Sequence, residues 1–97
     1  MTVHHRSIES EIYCDFNALV TNGGYRPTSG TIKNLAALGL TLEQAVGRRF
    51  VFVSDDADEQ GNPDDIMCEG TIVRDPTFGI LLETDESGFY HRSERRD

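Results

Sequence analysis

The second half of the chain alternates between short runs of β-branched or aromatic residues and clusters of turn-forming residues. Four such runs follow one another, at 50–53, 66–74, 78–84 and 89–91. Side chains such as Val, Ile, Phe and Tyr fit the half-buried surface of a pleated sheet, whereas Asp-Pro and Ser-Gly clusters end strands. The pattern therefore predicts four short strands, of which the last three form a meander.

The first half of the chain supplies one more predicted strand and a helical insert. Apolar and polar residues alternate from 8 to 20, which predicts a half-buried strand, and Asn-Gly-Gly at 22–24 predicts the turn after it. Helical spacing at 31–38, followed by Gly39, predicts a two-turn helix with a left-handed C-cap. A capping-box pattern at 41–44 predicts a second helical turn.

Together these elements predict a mostly β protein with a short helical insert, folded as a small SH3-like barrel or roll of four to five antiparallel strands. Gly70 lies inside a predicted strand and indicates a bulge or sharp bend, as small barrels need at their corners. The 97 residues are enough for one domain. We expect a disordered terminus at 1–7, a single domain at 8–91 and a charged tail at 92–97.

The charge of the chain limits the partners that we expect. Seventeen acidic residues and nine Lys or Arg give a formal net charge of -8, which repels phosphate backbones and anionic lipid surfaces. Nucleic acid and membranes are therefore not expected as partners. We expect a monomer or a weak dimer, and the partner that suits its charge is another protein with a basic surface.

The two cysteines, Cys14 and Cys68, lie far apart in the sequence and form no Cys-x-x-Cys pair. No apolar signal segment stands before the first predicted strand, so we expect a cytoplasmic location. Cys14 falls on the apolar side of its alternating run, and Cys68 falls in the middle of a strand. We therefore interpret both as buried, unreactive thiols.

The acidic loop, residues 55–65, joins the predicted strands at 50–53 and 66–74. It contains six carboxylates and no Lys or Arg. A tight turn would connect two such strands, and longer connections in compact domains are typically functional or disordered. The loop therefore predicts a partner-binding surface, which consists of Asp55, Asp56, Asp58, Glu59, Asp64 and Asp65.

The same loop resembles the calcium loops of EF-hands and the aspartate-rich repeats of thrombospondin type 3 modules. The resemblance implies a calcium site with oxygen ligands at the first, third, fifth and ninth places, and Gly61 falls at the place of the sharp turn. The pattern departs from the EF-hand at two places. At the twelfth, Met67 replaces a bidentate Glu, and at the eighth, where the backbone of an EF-hand pairs with a partner loop, the residue is Pro63. The four implied ligands are Asp56, Asp58, Gln60 and Asp64.

An enzyme is not expected, because the sequence shows no organised set of nucleophile, base and oxyanion donors. Three other functions are compatible with these features. The first hypothesis is a non-enzymatic adaptor that docks its acidic loop on a basic surface of another protein. The second is a module in which calcium orders the loop. The third is an acidic inhibitor or immunity-type protein that blocks a basic active site.

Overall fold

The computed structural model describes residues 10–85 and 88–94. Within these residues the chain forms seven short strands, two helices and one 3-10 turn. In chain order they are β1 Glu11–Tyr13, β2 Leu19–Thr21, β3 Gly24–Tyr25, α1 Ser29–Ala37, α2 Leu42–Ala45, β4 Arg49–Ser54, β5 Ile66–Asp75, β6 Gly79–Thr84, β7 Tyr90–His91 and the 3-10 turn Arg92–Glu94.

All seven strands belong to one sheet, in the order β1-β4-β5-β6-β3-β2, with β7 paired to β5. Neighbouring strands are antiparallel except β1 and β4, which run parallel. The predicted mostly β roll is confirmed. The sheet does not close into a barrel, since β1 and β2 lie at its two ends and do not pair with each other.

Helix α1 covers the outer edge of β1. The N–H of Tyr13 donates a hydrogen bond to Oδ1 of Asn34 at 2.7 Å, and the hydroxyl of Thr31 donates to the carbonyl of Tyr13 at 2.7 Å. Thr31 is fully buried and also accepts a hydrogen bond from the N–H of Thr28, the N-cap of α1. Side chains of α1 thus satisfy the N–H and the carbonyl of Tyr13, which would otherwise be free to pair with another strand at this edge of the sheet.

The predicted helical insert is confirmed. Helix α1 begins two residues before the predicted helix, and Gly39 has the positive φ, 78°, that a left-handed cap requires. At α2 the hydroxyl of Thr41 accepts from the N–H of Gln44 at 3.2 Å, and the Gln44 side chain accepts from the N–H of Thr41 at 3.0 Å. These two reciprocal bonds are the predicted capping box.

The single strand predicted at 8–20 is wrong. In the part that the structure describes, β1 ends at Tyr13 and β2 begins at Leu19. Between them the carboxylate of Asp15 accepts a hydrogen bond from the N–H of Asn17 at 2.9 Å and turns the chain. A short polar side chain that bonds to nearby backbone therefore interrupts a run that hydrophobic alternation predicts to be continuous.

The predicted meander of the last three strands is also wrong. β6 pairs with β5 from Gly70 to Asp75, and β7 pairs with the same edge of β5 at Ile66 and Met67. β7 therefore continues along the edge of β5 that β6 occupies, in the same direction as β6. A turn signal marks where a strand is interrupted, but it does not show which neighbour the chain pairs with afterwards.

Gly70 marks a close approach of neighbouring groups, and of the predicted bulge or sharp bend the bulge is absent from the ladders on its two sides. Its pairing with Phe50 on one side and Thr84 on the other continues without a shift of register. A Cβ at this position would overlap the ring of Phe52 and the carbonyl oxygen of Glu83. Only glycine leaves room for the fully buried Phe52 ring here.

One hydrophobic cluster joins the sheet to both helices. The two thiols, Cys14 and Cys68, are free and buried, as predicted, and burial raises the pKa of Cys14 to about 12 and that of Cys68 to about 11. Both therefore stay protonated at neutral pH. No described helix combines the length and the apolar character needed to cross a membrane. The buried cluster consists of Ile12, Cys14, Tyr25, Leu35, Ala45, Phe50, Phe52, Ile72 and Leu82.

Candidate functional site

The acidic loop extends the hairpin of β4 and β5 beyond the last strand pair. An antiparallel bridge joins Ala57 to Pro63, and the N–H of Asp64 donates to the carbonyl of Asp56 at 3.0 Å. All the residues from 55 to 63 are exposed. The predicted partner-binding carboxylates therefore lie on a backbone with its own hydrogen bonds, at one end of the sheet.

Asp58 shapes the tip of this loop. Its Oδ1 accepts hydrogen bonds from the N–H groups of Gln60 and Asn62, both at 2.9 Å, and its Oδ2 accepts from the side-chain amide of Asn62 at 3.3 Å. Gly61 completes the turn with a φ of 82°. Short polar side chains commonly stabilise turns in this way, so part of the loop's acidity serves its own conformation.

Residues 91–94, which we call the C-terminal clasp, lie against the base of the acidic loop. Nε2 of His91 is 2.8 Å from Oδ2 of Asp56. Ser93 donates to the carboxylate of Asp64 through its N–H at 3.0 Å and through its hydroxyl at 2.6 Å. The first residues of the predicted charged tail thus contact the predicted site, and residues 95–97 lie outside the described part of the chain.

Arg92 of the clasp connects the acidic loop to the first strand. Its guanidinium donates two hydrogen bonds to Glu11, at 2.8 and 3.0 Å, and Nε donates to Asp65 at 3.1 Å. The hydrogen bond with Glu11, and then that with Asp65, raises the pKa of Arg92 above its ordinary value. A bidentate arginine–carboxylate pair has a defined geometry, so Arg92 sets how the loop and β1 lie next to each other.

The hydrogen bonds of the clasp shift the protonation of the groups that make them. The bond with Asp56 is the main cause of the raised pKa of His91, and the charges of Asp64 and Glu94 act in the same direction. The pKa of Asp56 is lowered by His91, and that of Asp64 by Ser93. Opposite shifts in His91 and Asp56 favour a protonated imidazole beside an ionised carboxylate.

Most of the negative charge of the acidic loop is not neutralised by the clasp. The loop carries six negative charges, and in the clasp Arg92 and Glu94 cancel, so the two segments sum to -6 with His91 neutral and to -5 with His91 protonated. Among the residues that the structure describes, the carboxylates of Asp55 and Glu59 make no hydrogen bond or ion pair. Within the described residues these two carboxylates therefore face solvent.

The oxygen ligands predicted for calcium have other hydrogen-bond partners in this structure. Within 10–85 and 88–94, no three His, Cys, Asp or Glu side chains are grouped as metal ligands would be. The Asp56 carboxylate lies against His91, and the Asp64 carboxylate accepts from Ser93. A cation at the predicted site would have to displace these two partners, and the calcium site stays a prediction from the sequence.

Sequence reasoning did not find the clasp. The clasp places a histidine, an arginine and a serine hydroxyl next to one another, at His91, Arg92 and Ser93. These are hydrogen-bond donors, and Arg92 is also positively charged, so together they complement an aspartate-rich loop. That signal does not show contact, because 25 residues lie between the end of the loop and the start of the clasp. The pairing becomes visible only when β7 is placed beside the first residues of β5.

No family model matches the chain, and no significant similarity to a curated protein or to a solved structure was found. The residues of the chain itself are therefore the basis for its proposed function.

Proposed function

We propose that this protein is a non-enzymatic adaptor that docks its acidic loop on a basic surface of another protein. The observation that carries the proposal is the net charge of -5 or -6 on the acidic loop and the clasp, residues 55–65 and 91–94, together with the hydrogen bonds that the loop makes within itself. A preorganised loop loses less conformational entropy when it binds, and complementary charge speeds encounter with a basic partner while disfavouring acidic ones.

The carboxylates of the loop fall into two groups. Asp56, Asp64 and Asp65 bond to the clasp, and Asp58 bonds to the backbone of the tip, so these four position the loop. The other two, Asp55 and Glu59, are exposed and suit direct charge-assisted hydrogen bonds to lysine or arginine of a partner. We expect that neutralising the second group weakens binding and leaves the fold intact.

The test neutralises Asp55→Asn together with Glu59→Gln. A matched control, Glu43→Gln with Glu83→Gln, removes the same two charges away from the loop. Glu43 pairs with Arg74 on the exposed surface, and exposed pairs of this kind contribute little to stability. Glu83 lies opposite Thr71 of β5, five residues beyond Ile66, where the acidic loop joins that strand.

Partners captured from cells by each variant are compared by quantitative mass spectrometry, and a captured partner is then purified for affinity measurement. We expect the loop variant to lose partners that the wild type and the control retain, with an affinity that falls as salt is added. Equal capture by all three proteins would contradict the proposal. A captured enzyme whose activity stops on binding would identify the inhibitor or immunity-type function on the same surface.

A calcium-binding module remains the second proposal, and it uses the same loop. Calcium added to the isotopically labelled protein would shift the amide resonances of 56–64 and, by displacing His91 from Asp56, would lower the pKa of His91 towards its ordinary value. Magnesium is the control, because it demands a more regular geometry of ligands. Unchanged spectra at millimolar calcium would end this proposal.

A further inference from the structure

A cleft of about 330 Å³ lies between α1 and β1, and Asp55 of the acidic loop is one of its lining residues. Apolar groups from the end of the helix, Ala37 and Leu38, line it together with Val53 of the sheet. Leu38 is 45% exposed, so a large apolar side chain faces solvent at this concave surface. The volume is at the small end of ligand sites, which suits one or two side chains of a partner.

The charge of the cleft is one-sided. Glu11 and Asp55 both line it, and its lining residues, all within the described part of the chain, include no Lys or Arg. Glu11 is held by Arg92, whereas Asp55 has no hydrogen bond or ion pair to the described residues. A free carboxylate and an accessible apolar surface therefore lie in one small site.

Recognition in this cleft depends on side chains. A peptide cannot pair with Tyr13 as an added strand, because Asn34 and Thr31 already occupy the N–H and the carbonyl of that residue. An occupant must therefore place an apolar side chain against the helix end and a polar group near Asp55.

We infer that the cleft binds a basic segment of the partner protein, with one apolar side chain against Ala37 and Leu38 and a neighbouring lysine or arginine paired with Asp55. This inference rests on the proposed function and specifies the chemistry of its partner. Charge complementarity selects the occupant, because the adjoining acidic loop repels acidic segments. A second copy of the chain, with its own net charge of -8, is repelled in the same way.

The probe is a short synthetic peptide with a leucine next to two arginines in a Gly-Ser background. One matched peptide replaces the leucine by serine, and another replaces both arginines by glutamine. We expect the first peptide to shift the amide resonances of Tyr13, Leu38, Val53 and Asp55. Each matched peptide should bind at least about tenfold more weakly, because one loses the leucine that the cleft buries and the other loses both positive charges beside the acidic loop.

A variant that fills the cleft separates packing from charge. Ala37→Phe adds a ring at the cleft without changing any charge, and Ala36→Phe adds the same ring at an exposed neighbouring position that does not line the cleft. Circular dichroism checks that both variants fold. We expect Ala37→Phe to weaken binding of the leucine-arginine peptide about tenfold and Ala36→Phe to leave it unchanged.

Partner capture distinguishes failure of this inference from failure of the proposed function. If Ala37→Phe keeps the captured partner and Asp55→Asn with Glu59→Gln loses it, the acidic loop docks the partner and the cleft inference is overturned. If neither variant changes capture, both are overturned. Resonance shifts that the peptide causes only at 56–64 would also overturn the inference. Shifts at the cleft that appear without peptide when the protein concentration is raised would overturn it too, because they would show that the cleft binds a second copy of this chain.

Discussion

The two ends of β5 are joined to their neighbours by connections of different length but similar local chemistry. The acidic loop, 55–65, leads into β5, and the turn at 76–78 leads out of it. At each connection an aspartate carboxylate accepts hydrogen bonds from backbone N–H groups, and a glycine has a φ close to 80°. These pairs are Asp58 with Gly61 (82°) and Asp75 with Gly79 (83°).

The connections differ in what else stabilises them. The turn is complete within five residues, since Asp75 accepts from Thr77 and Phe78 and pairs with Gly79 in the ladder. The acidic loop also contacts the distant clasp at 91–94, which bonds three of its six carboxylates. A short turn can thus form from local contacts, whereas the long loop acquires its full set of contacts only when the sheet has formed.

The largest expected difference between the two connections concerns their glycines. A side chain at positive φ is strained by roughly 1–2 kcal/mol. Gly79 begins β6 and pairs with Asp75, so we expect Gly79→Ala to lower the free energy of unfolding by about that amount. Gly61 lies outside every strand, and the loop around it can relax, so Gly61→Ala should cost less than about 1 kcal/mol.

Urea denaturation with unchanged m-values measures both effects. A larger loss for Gly61→Ala than for Gly79→Ala would contradict the expectation that the backbone around Gly61 relaxes more readily than the strand start at Gly79.

The next largest effect concerns Arg92. Removing its guanidinium in Arg92→Gln breaks the bonds to Glu11 and Asp65, both on the exposed surface, so we expect a loss of about 1 kcal/mol or less in unfolding free energy. Hydrogen exchange should quicken at the amides of Asp58 and Asp64 and stay unchanged in the turn at 76–78.

Arg48→Gln is the matched control for this charge, because Arg48 is exposed and makes no side-chain hydrogen bond or ion pair to the described residues. Equal acceleration of exchange in Arg92→Gln and Arg48→Gln would show that the clasp does not stabilise the loop.

The smallest effect is the pH dependence of the His91–Asp56 contact. The pKa of His91 is raised from 6.5, so its contribution to stability is fully present below pH 6.5 and is lost as the pH rises through the raised value. The pKa of Asp56 is lowered from 3.8, so its contribution is present above pH 3.8 and is lost as the pH falls through the lowered value. We therefore expect the contact to be strongest between pH 3.8 and 6.5.

The resonances of the His91 ring, followed against pH, give its pKa directly. Asp56→Asn should lower that pKa towards 6.5, and the amides of the turn at 76–78 serve as an internal control. A histidine that titrates identically in the wild type and the variant would show that the two side chains are not in contact in solution.

Local patterns predicted the elements well where their chemistry is complete within a few residues. The capping box at Thr41, the cap glycine at Gly39 and the strand at 50–53 depend on neighbours in the chain, and the structure contains all three. The strand at 8–20 and the meander failed for different reasons, the first local and the second long-range. Alternation and turn signals do not show that Asp15 bends the backbone or that β7 returns to β5.

By itself the sequence determined that this protein is mostly β, that its helical insert is short, that its cysteines are buried and that its charge is concentrated in one loop. Each of these properties follows from composition or from contacts over a few residues. The tertiary structure alone decided the parallel pairing of β1 with β4, the cleft beside α1 and the contact of the clasp with the acidic loop. Hydrogen bonds between Glu11, Asp65 and Arg92 join segments that are distant in the chain, and only the course of the folded backbone brings their charges together.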